Sequence, residues 1–266
     1  MTTQPSNVAL QRILKRDPVW SIYALADLQP EFAPYCRWQI EPAGDGRTAL
    51  ALLYSGLSPV ILVTVGAPDL LAHCLARWGA DHTLPARVYL SMREEHETPV
   101  TRWYDNQGDR RPMLRMTLGD RGRLSGAASG WSPIRLTRAD AQRIQALYAL
   151  GGPFVPDAFD PYQLDDGVFF GVAGDDGALW SVGGTHIVDW RAGLGAIGNM
   201  YTHPQQRGQG LAGAVLAAIV QTLAAGGAQT IILNVDQRNT GARRLYEKHG
   251  FTVHCPYLEG IAVLRA

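Results

Sequence analysis

The chain lacks the features that mark several protein classes. It has only three cysteines, Cys36, Cys74 and Cys255, odd in number and far apart, with no Cys-X-X-Cys pair. That excludes a disulfide framework and reads as free thiols of a reduced, cytoplasmic protein. Neither sign of charge is in excess, since 24 Lys plus Arg stand against 24 Asp plus Glu. A general nucleic-acid or membrane-surface binder carries a basic surplus, so neither partner is expected. No uninterrupted apolar run reaches the roughly 18 residues of a membrane span. The opening Met1-Thr2-Thr3-Gln4-Pro5 is polar and shows no signal-like apolar stretch. The seven histidines are scattered, and no spacing points to a metal site.

What is present is apolar substance and one dense motif. At 266 residues and 46% hydrophobic, the chain can build one large core or two modest ones. The motif is Pro204-Gln205-Gln206-Arg207-Gly208-Gln209-Gly210-Leu211-Ala212, set between a strand-like run, Leu194 to Thr202, and an apolar helical run, Leu211 to Ala225. A helix N-terminus carries unpartnered N–H groups and partial positive charge, so such a turn can cradle a phosphate. Glycine there admits close approach and positive φ. It is neither a P-loop, lacking Lys-Ser/Thr, nor a dinucleotide fingerprint, lacking the third glycine.

Downstream, Thr230 to Val235 is apolar and β-branched, which suits a buried strand. Asn239 is placed to cap a helix that Gly250 closes, with Ala242, Leu245, Tyr246 and His249 on one face. Together these residues carry a resemblance. Gln205, Gly208 and Gly210 fit Gln/Arg-x-x-Gly-x-Gly/Ala. Asn239, Ala242, Leu245, Tyr246, Gly250 and Phe251 fit Asn-x-x-Ala-x-x-Leu-Tyr-x-x-x-Gly-Phe. Over residues 131–266 the chain resembles the GNAT superfamily of acyl-CoA-dependent N-acetyltransferases.

The element order supports two halves. Residues 119–130 are small and turn-forming and read as a linker. In the half that follows, strands are expected at Trp131–Leu136, Val168–Ala173, Leu179–Val188, Gly193–Thr202, Thr230–Val235, Phe251–His254 and Leu258–Leu264. A helix capped by Thr137 runs to about Leu150, and a short one lies near Asp157–Leu164. In residues 1–118, helices are expected at Asn7–Arg16, Val19–Leu28, Asp69–Trp78 and Glu94–Tyr104. Strands are expected at Trp38–Glu41, Thr48–Tyr54, Pro59–Val65, Arg87–Ser91 and Met113–Leu118. This succession resembles a second, degenerate GNAT half, with a weaker resemblance to glycine N-acyltransferase-like proteins. The corresponding loop, Val65-Gly66-Ala67-Pro68-Asp69, lacks the phosphate pattern and offers an acid instead. The expected fold class is α/β: tandem GNAT-like folds, each with a mixed, strongly twisted sheet flanked by helices. Only residues 131–266 are expected to bind acyl-CoA. Residues 1–118 would shape part of the acceptor cleft, with Trp20, Tyr23, Trp38 and Trp103 lining it or filling the core.

The resemblance also implies site residues. Met200, Tyr201 and Thr202 would hydrogen-bond the pantetheine arm and hold the thioester oxygen. Gln205, Gln206, Arg207, Gly208, Gln209, Gly210, Leu211 and Ala212 would cradle the pyrophosphate, with Arg207 adding charge. Asn234, Asn239 and Ala242 would contact the cofactor, Asn239 also serving as a cap. Tyr246 would be the acid for the leaving thiolate. Many family members carry a Glu in the strand before the glycine turn as a base. Here that strand, Leu194-Gly195-Ala196-Ile197-Gly198-Asn199-Met200, has no acid. Asn199 can orient substrate or hold a water but cannot be the base. His186, Asp189 and Asp236 are the remaining candidates, and a histidine has the intrinsic pKa the task needs. The expected activity is acetyl transfer from acetyl-CoA to a primary amine of a small molecule or amino acid, without a metal, by a monomer or homodimer. The alternatives are a protein lysine or N-terminal acetyltransferase, and a non-catalytic acyl-CoA-binding module.

Overall fold

A computed structural model describes residues 4–106, 108–119 and 130–265. The expected linker at 119–130 therefore lies, apart from its end residues, outside the described residues. The chain divides into two compact units, residues 1–115 with 254–266, and residues 116–253. The expectation that 131–266 forms one body is altered at its end. His254–Ala266 packs with the first unit, because the last strand pairs there.

In the first unit, short helices α1 (Asn7–Leu14) and α2 (Ile22–Ala26) lead into β1 (Cys36–Pro42), β2 (Thr48–Tyr54) and β3 (Val60–Gly66). Then come α3 (Pro68–Ala80), β4 (Arg87–Arg93), α4 (Glu97–Thr101), β5 (Tyr104–Asp105) and β6 (Arg111–Leu118), whose last residues belong to the second unit. The second unit continues with β7 (Ile134–Arg135), α5 (Ala141–Tyr148), α6 (Gln163–Asp166), β8 (Phe170–Ala173), β9 (Leu179–Asp189) and β10 (Leu194–Thr202). It ends with α7 (Leu211–Ala225), β11 (Thr230–Asp236), α8 (Thr240–Lys248) and the start of β12 (Phe251–Leu264).

Several expected elements differ. The Trp131–Leu136 strand is only Ile134–Arg135. The Asp157–Leu164 helix is replaced by turns ahead of α6, since Pro161 interrupts the run. The Glu94–Tyr104 helix is a single 3-10 turn plus the five residues of α4. The Val19–Leu28 helix shrinks to α2. The two closing strands are one, β12. Trp20 and Trp38 lie in the core rather than lining a cleft, at 2% and 8% exposure.

Both units are mixed sheets flanked by helices. The first has strand order β1-β2-β3-β4-β12, antiparallel except for parallel β3–β4. Helix α3 buries Leu70, Leu71, Cys74, Leu75 and Trp78 against it. The second has order β11-β10-β9-β8-β7, antiparallel except for parallel β10–β11. Helix α7 covers one face, burying Val215, Leu216, Ile219, Val220 and Leu223. Helices α5 and α6 cover the other, with Ile144, Leu147 and Leu164 packed on Phe169, Val182 and Tyr201. Each parallel pair is joined by its helix, α3 or α7, as parallel strands require. Among the described residues, no helix is long and apolar enough to cross a membrane.

Candidate active site

The site begins where β10 and β11 part. Their ladder runs from Leu194–Thr230 to Ile197–Leu233 and stops, although β10 continues to Thr202 and β11 to Asp236. Two bulges accompany the parting. On β9, His186 is an extra residue between Thr185, opposite Ile197, and Ile187, opposite Ala196. On β10, Asn199 and Met200 lie between Gly198, opposite Gly184, and Tyr201, opposite Val182. Asn199 has φ +56, a left-handed conformation that asparagine tolerates better than most side chains. Bulges bend and twist a strand, which turns β10 away from β11. Gly198 and Asn234 are the first residues beyond the last paired positions.

Glycines make room on these strands. A methyl at Gly183 would lie 2.1 Å from Met200 Sδ, and one at Gly184 would lie 2.2 Å from the Phe169 ring. A methyl at Gly198 would lie 1.8 Å from both Cδ2 and Nε2 of His186. The imidazole of His186 therefore rests on the Gly198 backbone. Burial lowers its pKa from the usual value, while the charge of Asp157 works the other way.

Asn199 is almost fully buried, at 4% exposure. Its Nδ2 donates to Gln163 Oε1 at 3.0 Å, and its carbonyl accepts from the Tyr148 hydroxyl at 2.7 Å. Its Oδ1 is buried with no hydrogen-bond partner. Two residues on, the Tyr201 hydroxyl donates to the Gly151 carbonyl at 2.7 Å. These bonds hold the segment between α5 and α6 against β10. Sequence reasoning missed Tyr148 and Gln163. The signal that was available is the density of glycine inside β9 and β10, which marks bulges and close approaches.

The strand end passes through a 3-10 turn, Pro204–Gln206, into α7. Gly208 and Gly210 have φ of +80 and +83. Gly210 is the N-cap of α7, and no side chain caps the helix. A methyl on Gly208 would meet nothing within 4 Å. The turn is held from behind. Gln209 Nε2 donates to Gln206 Oε1 at 2.8 Å, and the Gln209 carbonyl accepts from Trp131 Nε1 at 2.8 Å. The N–H of Gln205 donates to His203 Nδ1 at 3.2 Å. Arg207 donates through Nε to the Thr202 carbonyl at 3.2 Å, with its guanidinium 5.8 Å from the Tyr201 ring centroid. Leu211 is buried beneath the turn and Ala212 partly so. An exposed, positive-φ turn on an uncapped helix N-terminus fits an anionic phosphate group.

Across from it, Asn239 caps α8, its side chain accepting from the Ala242 N–H at 3.2 Å. Tyr246 is buried on α8, edge-on to Phe251 with centroids 6.3 Å apart. Among the described residues, no hydrogen bond reaches its hydroxyl. Burial pushes its pKa up to about 12. Of the other base candidates, the Asp189 carboxylate accepts from the N–H groups of Arg191 and Ala192 and so closes the turn after β9. Asp236 is ion-paired to Arg238 at 2.6 Å.

The first unit repeats the strand geometry, but the carbonyls beyond its ladder are already bonded by its own side chains. The β3–β4 ladder runs from Val60–Val88 to Val63–Ser91 and stops, as in the second unit. Beyond it, the Thr64 carbonyl accepts from Trp20 Nε1 at 2.8 Å. His96, fully buried, bonds through Nε2 to the Gly66 carbonyl and through Nδ1 to the Thr64 hydroxyl, both at 2.8 Å. A carbonyl only accepts, so Nε2 carries the proton and the Thr64 hydroxyl donates. Asp69, at the start of α3, is ion-paired to Arg47 at 2.9 Å.

Residues 139–251 match the model of the acetyltransferase (GNAT) family, so this stretch is a GNAT acetyltransferase domain. Acetyl transfer from acetyl-CoA is the chemistry of that family. Among solved structures, the chain is similar to a Drosophila protein with TM-score 0.65 and 16% identity, covering 98% of this chain and 97% of that one. A GCN5-related N-acetyltransferase from Kribbella flavida matches with TM-score 0.57 and 18% identity, covering 92% and 98%. A tandem GNAT protein from the clavulanic acid biosynthesis pathway matches with TM-score 0.56 and 11% identity, covering 97% and 93%. At these identities the likeness is one of fold. No curated protein matches the chain in sequence.

Proposed function

We propose that the protein transfers an acetyl group from acetyl-CoA to the primary amine of a small molecule or amino acid, by direct attack in a ternary complex. The observation that carries this reading is the opening of the β10–β11 ladder at Ile197–Leu233, leading straight into the Gly208–Gly210 turn. In this reading the N–H groups from Gln206 to Ala212 receive the pyrophosphate, with Gln205 and Arg207 at its edge. The pantetheine arm adds to Met200, Tyr201 and Thr202 as an extra strand. Asn234, Asn239 and Ala242 flank the arm on the opposite side. A backbone N–H at the bulge holds the thioester oxygen as negative charge develops there. The Gly151–Gln163 segment, held on β10 by Tyr201 and Asn199, favours a compact acceptor over an extended chain.

Tyr246 serves the leaving group as a hydrogen-bond donor. A phenol near pKa 12 stands about 3.5 units above an ordinary thiol, so full proton transfer is uphill by about 5 kcal/mol. A hydroxyl without a protein partner can still stabilise the thiolate as it forms. The test is thiol release from acetyl-CoA with a panel of amines. Tyr246→Phe is expected to lower turnover by about tenfold or more while leaving acetyl-CoA affinity unchanged. Unchanged turnover would remove Tyr246 from the chemistry. Acetyl-CoA binding without thiol release from any amine would leave a binding module.

A further inference from the structure

The strand that precedes the glycine turn holds no acid from Leu194 to Thr202, yet an amine acceptor must lose a proton. An alkyl ammonium has an ordinary pKa near 10.4, so its neutral form costs about 4.6 kcal/mol at pH 7. Among the described residues, one group stands at the right place. His186 is the residue bulged out of β9, and its Nε2 edge rests on Gly198. Gly198 is the first residue of β10 beyond the ladder with β11, next to the Asn199 bulge.

We propose that His186 takes the proton from the acceptor nitrogen, and that Gly198, by having no side chain, seats its ring where β10 leaves β11. The inference rests on the acetyl-transfer reading above. In the step, His186 takes a proton from the bound ammonium and releases it to solvent, and the neutral nitrogen bonds to the thioester carbon. The C–S bond breaks with its electron pair on sulfur, where Tyr246 donates a hydrogen bond. The thiolate takes up, through solvent, the second proton that the nitrogen sheds as the amide forms. Asp157 is the charged side chain that acts on His186, and its field favours the imidazolium. Its charge therefore tunes the base without touching it. Burial acts the other way and keeps the ring neutral, hence able to accept, at neutral pH.

The test measures thiol release from acetyl-CoA against pH, with a strongly basic alkylamine and a weakly basic arylamine. For the wild type, kcat with the alkylamine falls on an acidic limb that lies below the ordinary histidine range, because burial lowers the His186 pKa. His186→Asn is expected to lose that limb and about a hundredfold in alkylamine turnover, with acetyl-CoA affinity unchanged. The arylamine, neutral without help, loses far less. Gly198→Ala displaces the ring and reproduces the pattern. Asp157→Asn, on an exposed residue, keeps the fold and moves the acidic limb to lower pH. A retained limb in His186→Asn, or equal losses with both amines, overturns the assignment and leaves the acetyl-transfer reading intact. No thiol release by the wild type with any amine overturns both.

Discussion

At Gly208 two requirements coincide. The backbone is left-handed at φ +80, and the space where a Cβ would stand is open. The first makes Gly208→Ala cost about 1 kcal/mol of stability, since an L side chain resists that region. The second makes the same methyl occupy the room proposed for phosphate. The expected outcome is a small drop in the urea midpoint together with about tenfold weaker acetyl-CoA binding by calorimetry. A stability loss with unchanged affinity would show that the glycine serves the turn alone. The places of such residues were legible in the sequence because they are set locally. Gly208, Gly210, Asn239 and Tyr246 sit at fixed offsets from helix ends. The significance of Gly198 was not legible, because it depends on His186 arriving from a neighbouring strand.

Helix α8 shows how an element carries a site. It is nine residues long, below the length at which a helix is stable alone, so its ends matter. Asn239 supplies the N-cap, and Gly250, with φ +87, follows its C-terminus. Asn239→Ala is expected to cost about 1 kcal/mol, and Asn239→Asp to restore most of it. Chemical denaturation measures both. If both variants match the wild type, the cap contributes nothing. Helices with clear end signals, α5, α7 and α8, were foreseen within a few residues. The misjudged elements share a physical cause. Around Asp157–Leu164 and Glu94–Tyr104, prolines interrupt the expected helices and tertiary packing uses the apolar side chains from turns and short helices. Phe159, for example, packs edge-on against Tyr148 and Phe169 without helical backbone of its own.

At the scale of the whole molecule, the two units share a parallel strand pair that parts, yet differ in what occupies the parting. In the first unit, Trp20 and His96 bond the carbonyls of Thr64 and Gly66, and Asp69 with Arg47 occupies the helix start. Burial keeps His96 below the usual histidine pKa, consistent with a neutral ring bonded at both nitrogens. We therefore expect one acetyl-CoA per chain by calorimetric titration. A stoichiometry of two would overturn the reading that the first unit has lost its site.

The sequence by itself determined the motifs from which the donor side is proposed. A glycine turn, a capped helix and an ordered pair of motifs are local chemistry, and local chemistry survives in one dimension. It also determined that the loop after β3 lacks the phosphate pattern. Only the tertiary structure decided how the strands part, because bulges at His186 and Asn199 are properties of register between strands. It alone decided that the two expected closing strands form the single strand β12. It alone seated His186 on Gly198 and His96 on Gly66, since both contacts join residues that different strands and turns bring together.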